Sequence, residues 1–180
     1  MRKLSRTISG VTPVAVMTKP SGCPGRCVYC PTYGATPQSY TPESPAVIRA
    51  RICDYDAYRQ VERRLNLLAE MGHPTDKVEL IIMGGTFLAT PIEYQCRFVK
   101  DCYDAMNGVV SASLAEAQKL NETTTRRCVG LCVETRPDVC GEVDPFGGGR
   151  DSHGFQCLTD QSYDHLMRKS FFQRPDIPLV

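Results

Sequence analysis

Three cysteines within eight residues constrain this chain more than any other feature of its sequence. They are Cys23, Cys27 and Cys30 in the string SGCPGRCVYCP, with Gly and Pro between them. A loop of this composition can turn its sulfurs toward one point, whereas a regular helix or strand spreads them apart. Three converging thiolates are ligands for a soft metal ion or an iron–sulfur cluster. A cluster held by only three cysteines leaves one metal atom open to a small molecule.

A zinc site and disulfides are the two alternatives for these cysteines. A structural zinc site usually has four protein ligands in two close pairs. The remaining close pairs, Cys96/Cys102 and Cys128/Cys132, lack a turn-rich knuckle. Disulfides stay open because ten cysteines in 180 residues is a high count. The N-terminus does not have the continuous apolar core of a secretory signal, so reduced thiols are expected. The pattern favours a cluster over zinc, and zinc over disulfides.

Composition predicts one soluble, cytoplasmic domain with no membrane partner. The chain is 42% hydrophobic, and no apolar run reaches the length of a membrane span. The net charge of +1 says little about partners. The first acidic residue, Glu43, is preceded by a basic stretch: Arg2, Lys3, Arg6, Lys19 and Arg26. Such a stretch suits a polyanion such as RNA, although charge alone favours an ordinary solvated arm.

Three short apolar runs predict parallel strands. They cover residues 14–17, 78–83 and 128–134, and longer segments with turns separate them. The intervening segments are long enough for the crossovers that parallel pairing requires. The alternation of strands and helices therefore predicts an α/β fold with about three strand–helix units.

Helical periodicity and capping residues predict the segments between the strands. The Pro- and Ser-rich residues 31–45 are expected to form an ordered loop. An amphipathic helix should follow the cap region at Asp54 and Asp56 and stop at Gly72. Residues 90–93 have the form of a capping box, opening a helix that stops at Gly108. Residues 113–116 are a second capping box that opens a short helix.

The predicted strand order brings three chemically important segments to one edge of the sheet. The cysteine loop follows the first strand, Gly84-Gly85-Thr86 follows the second, and residues 134–138 follow the third. Parallel sheets bind ligands at the carboxyl ends of their strands. Taken separately, the glycines are more often a tight turn, and residues 134–138 a capping turn with an ion pair. Their common position predicts one site.

Several longer sequence motifs resemble those of a known enzyme family. The spacing of the three cysteines resembles the signature of radical S-adenosylmethionine (SAM) enzymes. Within that superfamily the chain is similar to the catalytic subunit of Elongator, a tRNA uridine carboxymethyl synthase. The strings that carry this similarity are TPQSYT, GHPTDKVE, MGGTF, LNET and ETRPD. It covers residues from about Arg6 to Cys140 and implies a partial radical SAM (βα) barrel.

The resemblance implies a cofactor set for this edge. Cys23, Cys27 and Cys30 would hold a [4Fe–4S] cluster, whose open iron binds SAM and whose electron cleaves it to methionine and a deoxyadenosyl radical. The residues implied near SAM are Gly84, Gly85, Thr86, Glu134 and Arg136. On the residues alone, Glu134 and Arg136 are equally an ion pair at the rim. No catalytic residue is identified.

The resemblance also implies a donor and a substrate. Acetyl-CoA would supply the group transferred to the wobble uridine of tRNA, and Lys77 matches a lysine that the family uses near acetyl-CoA. Lys77 also fits a solvated residue at the strand entry. An electron donor, partner subunits or self-association are further expected partners.

Two departures from the family pattern set the expected domains. Residues 1–140 are predicted to be a partial radical SAM domain, because three strand–helix units cannot close a barrel. Residues 141–180 are predicted to be a divergent or disrupted, poorly ordered tail. Two further functions stay open: a metal-binding or electron-transfer module without catalysis, and an inactive fragment.

Overall fold

A sheet of parallel strands lies at the centre of this computed structural model, and neighbouring strands pair in the order in which they occur in the chain. The structure describes residues 7–25, 27, 30–136 and 139, and the backbone of residues 155–157. The strands are β1 (Thr12–Met17), β2 (Lys77–Met83), β3 (Arg127–Val133) and β4 (Phe155–Cys157). The predicted α/β fold and the three predicted parallel strands are confirmed. The short β4 adds a strand within the predicted tail, and the boundary at residue 140 stays a prediction.

Helices α1 (Pro45–Ile52), α2 (Ala57–Glu70), α3 (Ile92–Asn107) and α4 (Leu114–Asn121) connect the strands. The side chain of Asp56 caps α2 by accepting a hydrogen bond from the backbone N–H of Arg59, at 2.8 Å. The predicted amphipathic helix is confirmed, with Val61, Leu65 and Leu68 buried along one face. Helix α3 ends as predicted at Gly108, whose φ of +73° lies in the left-handed region that favours glycine.

Helix α1 is not predicted by the sequence pattern. Its buried residues, Val47 and Ala50, alternate with the half-exposed Ile48 and Ile52, so no apolar stripe marks one face of the helix. Val47 and Ala50 pack in a small cluster with Met17 of β1. Because tertiary packing selects the buried face of α1, periodicity could not find it.

The two predicted capping boxes have different outcomes. The prediction of a capping box at residues 90–93 is wrong. The hydroxyl of Thr90 donates to the carbonyl of Phe87, at 2.7 Å, and α3 begins at Ile92 without a side-chain cap. Thr90 instead caps the C-terminus of the preceding 3-10 helix, Phe87–Ala89. At α4 the Ser113 hydroxyl accepts from the backbone N–H of Glu116, as predicted. The Glu116 carboxylate accepts from Ala112, one residue before the expected donor.

The main core lies between one face of the sheet and helices α2, α3 and α4. Alternate strand residues face it, including Val14, Leu80 and Val133, all fully buried. Asn121, at the end of α4, ties the layer to the sheet: its Oδ1 accepts from the N–H of Cys128, at 2.7 Å, and its Nδ2 donates to Oδ1 of Asn107, at 2.8 Å. Among the described residues, no helix is long and apolar enough to cross a membrane. This core holds the carboxyl ends of the strands at one rim.

Candidate functional site at the carboxyl edge of the sheet

The cysteine loop begins at the carboxyl end of β1 and touches the segment that follows β2. Beyond β1, the N–H of Thr18 donates to the carbonyl of Met83, at 3.0 Å, and continues the pairing of the two strands. The Cys23 Sγ then lies 3.2 Å from the Thr86 hydroxyl, which is itself buried. This contact joins the cysteine loop to the Gly84-Gly85-Thr86 turn.

Cys30 contacts the same turn through its neighbours. Its sulfur accepts a hydrogen bond from Nε2 of Gln38, at 3.3 Å, and lies 3.0 Å from the hydroxyl of Ser39. Gln38 in turn packs against Gly85, where an added Cβ would approach the Gln38 carbonyl oxygen to 3.2 Å. The loop after the third cysteine therefore folds back onto the glycine turn.

Cys27 contacts the segment that follows β3. Nη1 of Arg136 donates to its sulfur, at 3.4 Å, and the Arg136 residue is 6% exposed. The structure thus brings the cysteine loop to the segments after both β2 and β3. The expected common edge is confirmed for these three segments.

The carboxylate of Glu134 is held by donors of its own chain. Oε2 accepts from the backbone N–H groups of Gly84 and Gly85, at 3.1 and 3.4 Å. The hydroxyl of Tyr40 donates to Oε1. The backbone of Glu134 also pairs with Ile82 and Phe87 on either side of the turn. Glu134 therefore clamps the glycine turn, and its role toward SAM stays a prediction.

Both glycines of the turn have left-handed φ values, +137° for Gly84 and +89° for Gly85. A Cβ on Gly84 would lie 2.0 Å from the hydroxyl oxygen of Thr18, so only glycine fits. Within the described part of the chain, the buried hydroxyls of Thr18 and Thr135 have no hydrogen-bond partner. Buried hydroxyls are normally paired, so two of them at this rim indicate a place for a polar ligand.

Burial distinguishes the cysteine loop from the cysteines of the core. Desolvation raises the pKa of the Cys102 thiol well above its usual value, and it also raises the pKa of Cys128. The pKa of Cys132 rises to about 11, first through burial and then through the nearby Glu79 carboxylate. Protonated core thiols are poor metal ligands. The three loop cysteines are only partly buried and free of disulfides.

The loop thiols have the donor chemistry of ligands for a soft metal ion or an iron–sulfur cluster. Among the described residues, no three His, Cys, Asp or Glu side chains are close enough to hold one metal ion. Each of the three sulfurs accepts an N–H hydrogen bond: Cys23 from the backbone of Gly25, at 3.4 Å, Cys27 from Arg136 and Cys30 from Gln38. Such donors are typical of the surroundings of cluster thiolates.

Lys77 lies away from this site. It is the first residue of β2 and is exposed, whereas the glycine turn follows the last residue of the same strand. At about 3.3 Å per residue, roughly 20 Å separate the two. The structure does not bring Lys77 to the rim, and its role near acetyl-CoA stays a prediction. Of the basic N-terminal residues, Arg2, Lys3, Arg6 and Arg26 lie outside the described residues, and Lys19 is exposed.

Sequence reasoning missed three residues of the rim: Thr18, Gln38 and Tyr40. Gln38 and Tyr40 both lie in the string TPQSYT, which the family resemblance singles out without giving either residue a role. Thr18 directly follows the predicted first strand, and this position could have marked it. The acceptor of the Tyr40 hydroxyl lies 94 residues away in the chain, so only the fold shows such a contact.

Curated relatives agree with the resemblance. The chain is 66% identical over 173 residues to a tRNA uridine(34) acetyltransferase of Dehalococcoides mccartyi. The aligned region covers 93% of this chain and 38% of that protein. It is 56% identical over 178 residues to the Methanocaldococcus jannaschii protein of the same name, covering 33% of it. Identity to Elongator complex protein 3 of Homo sapiens is 42% over 146 residues, covering 27% of that protein. The chain thus spans about a third of the length of these relatives. No family model matches it.

A solved structure supports the same assignment. It is that of archaeal Methanocaldococcus infernus Elp3 with an N-terminal deletion (1–46), which matches with a TM-score of 0.56 and 47% sequence identity. The match covers 74% of this chain and 24% of the solved one. By sequence and by fold, this chain belongs to the family of Elongator complex protein 3 and the tRNA uridine(34) acetyltransferases, and it represents a part of that family's length.

Proposed function

We propose that this chain is part of the radical SAM domain of an enzyme that modifies the wobble uridine, uridine 34, of tRNA. The observation that carries the proposal is the contact between Cys23 and Thr86, 3.2 Å from Sγ to Oγ1, which joins the cysteine loop to the glycine turn. Relatives at 56% to 66% identity named tRNA uridine(34) acetyltransferase support the same reaction class.

Cys23, Cys27 and Cys30 would hold a [4Fe–4S] cluster, which when bound supplies the electron for reductive cleavage of SAM. Gly84, Gly85 and Thr86 would line the SAM site beside it. A side chain at Gly84 would block this place, since its Cβ would overlap the Thr18 hydroxyl. The unpaired hydroxyls of Thr18 and Thr135 are available to hydrogen-bond a polar group of the ligand.

The peptide geometry of the glycine turn suits an amino group. The N–H of Gly85 points to the Glu134 carboxylate. All described peptides are trans, so the carbonyl of Gly84, in the same peptide plane, points the other way. A carbonyl is an acceptor, and it would accept a hydrogen bond from the ammonium group of SAM. Glu134 would then orient the turn and leave direct binding to the backbone.

Acetyl-CoA is the proposed donor, tRNA the proposed substrate, and the cytoplasm the proposed compartment. An extended acetyl-CoA carries its phosphates far from its thioester. Lys77, at the opposite edge of the sheet, would therefore meet the phosphates rather than the acetyl group. An electron donor and partner subunits complete the proposed set of partners.

Anaerobic reconstitution with iron and sulfide tests the proposal. The chain should turn brown, bind about four irons, and release 5′-deoxyadenosine from SAM after reduction. The Cys27→Ala variant should lose both properties. The matched control is Cys96→Ala, on α3, which should keep them.

Two results would contradict the proposal. A colourless protein with stoichiometric zinc would identify a metal-binding module instead. A brown protein that never cleaves SAM would favour an electron-transfer module or an inactive fragment. Transfer from radiolabelled acetyl-CoA to tRNA with uridine at position 34, compared with tRNA carrying cytidine there, then tests donor and substrate.

A further inference from the structure

A buried positive charge lies against one of the three loop cysteines. Nη1 of Arg136 donates to Sγ of Cys27, at 3.4 Å, and only 6% of the Arg136 residue is exposed. A guanidinium keeps its charge at every pH at which proteins fold. Arg136 lies shortly after β3, which ends at Val133, and the backbone of the intervening Glu134 pairs with Ile82 and Phe87. The position of the Arg136 backbone is therefore set from the sheet rather than by the cysteine loop itself.

Gly25 makes room for this guanidinium. A Cβ at Gly25 would lie 1.8 Å from Nη1 and 2.7 Å from Cζ of Arg136. The backbone of Gly25 does not need glycine, because its φ lies outside the left-handed region. Space for Arg136 is therefore the reason for glycine between the first two cysteines. The Arg136 guanidinium thus occupies the space that a side chain at residue 25 would need, although the two residues are far apart in the sequence.

We propose that Arg136 is a positioning residue that acts on the iron–sulfur cluster through Cys27 and raises its reduction potential. The inference rests on the proposed function. Uptake of one electron makes a cluster more negative, so a nearby cation and an N–H···S hydrogen bond stabilise the reduced form. This role differs from that of a SAM ligand, because it operates when SAM is absent.

Redox titration of the reconstituted chain, followed by electron paramagnetic resonance without SAM, tests the inference. In Arg136→Gln the ratio of reduced to oxidised cluster at a fixed potential should fall at least tenfold, a shift of about 59 mV for one electron. Arg136→Lys keeps the charge without the planar fork, and its potential should lie between the two. Gly25→Ala should shift the potential in the same direction as Arg136→Gln, because it displaces the guanidinium while Arg136 is still present.

The matched control is Arg59→Gln, which removes an exposed guanidinium of α2 that pairs with Asp54, before the helix, and should leave the potential unchanged. Unchanged potentials in both Arg136→Gln and Gly25→Ala would overturn the inference. Unchanged potentials with weakened SAM binding would do so too, and would assign Arg136 to SAM. If Arg136→Gln fails to assemble a cluster, Gly25→Ala and Arg136→Lys decide. Failure of the unmodified chain to assemble any cluster would instead refute the proposed function.

Discussion

Removal of the Glu134 carboxylate should destabilise the whole rim. Three donors converge on it: the N–H groups of Gly84 and Gly85 and the hydroxyl of Tyr40. A buried donor left without its acceptor costs about 1–3 kcal/mol, and water reaches this half-buried site, so about 1 kcal/mol each applies. Glu134→Ala should therefore lower the free energy of unfolding by about 3 kcal/mol.

Two milder variants separate geometry from charge. In Glu134→Gln the amide oxygen can still accept from both glycines, and its NH₂ can donate to the Tyr40 oxygen. Only the charge assistance is lost, which is about 1 kcal/mol. Tyr40→Phe deletes one hydrogen bond and should also cost about 1 kcal/mol. At about 2–4 °C per kcal/mol for a chain of this size, Glu134→Ala should melt about 6–12 °C lower.

Urea unfolding of the cluster-free chain under reducing conditions, followed by circular dichroism, measures these differences. Glu62→Gln, an exposed carboxylate on α2, is the control and should stay within about 0.5 kcal/mol of the parent chain. A Glu134→Ala chain as stable as the parent would refute the clamp. So would a Glu134→Gln variant that is as unstable as Glu134→Ala, because charge rather than geometry would then dominate.

Four further variants test the core, a helix end and the titrating groups by the same unfolding assay. Leu65→Ala leaves a cavity beneath the sheet and should cost about 2–5 kcal/mol, while Gly108→Ala forces a left-handed residue and should cost about 1–2 kcal/mol. Burial raises the pKa of the Asp101 carboxyl, so the folded chain holds that proton more tightly and stability falls as the pH rises above 3.8; Asp101→Asn should remove this slope. Burial and the Glu79 carboxylate raise the pKa of the Cys132 thiol to about 11, so its contribution to stability falls from pH 9.0 toward 11; Cys132→Ala should remove this contribution and leave the alkaline loss that comes from the buried Cys102 and Cys128 thiols. A Cys132→Ala chain whose alkaline slope equals that of the parent chain would contradict this contribution.

The strands and the common edge were predictable because they depend on local patterns. The segment Val78–Met83 is mostly apolar, which predicts a strand, and the structure extends this strand, β2, by one residue at its start. Its alternate residues Val78, Leu80 and Ile82 are buried. Gly108 ended its helix because only glycine adopts a left-handed φ without strain. Helix α1 escaped prediction because its helical pattern shows no apolar stripe, and packing against Met17 selects which residues are buried.

The sequence was sufficient to predict the strands β1 to β3 and the helices α2 to α4, the edge where the cysteine loop lies, and the family to which the chain belongs. These follow from periodicity, turn residues and motif spacing, which act between near neighbours. The tertiary structure was needed to show that Glu134 clamps the glycine turn and that Arg136 lies on Cys27. Each of these depends on contacts between residues distant in the chain, and no local pattern specifies which distant side chain will arrive.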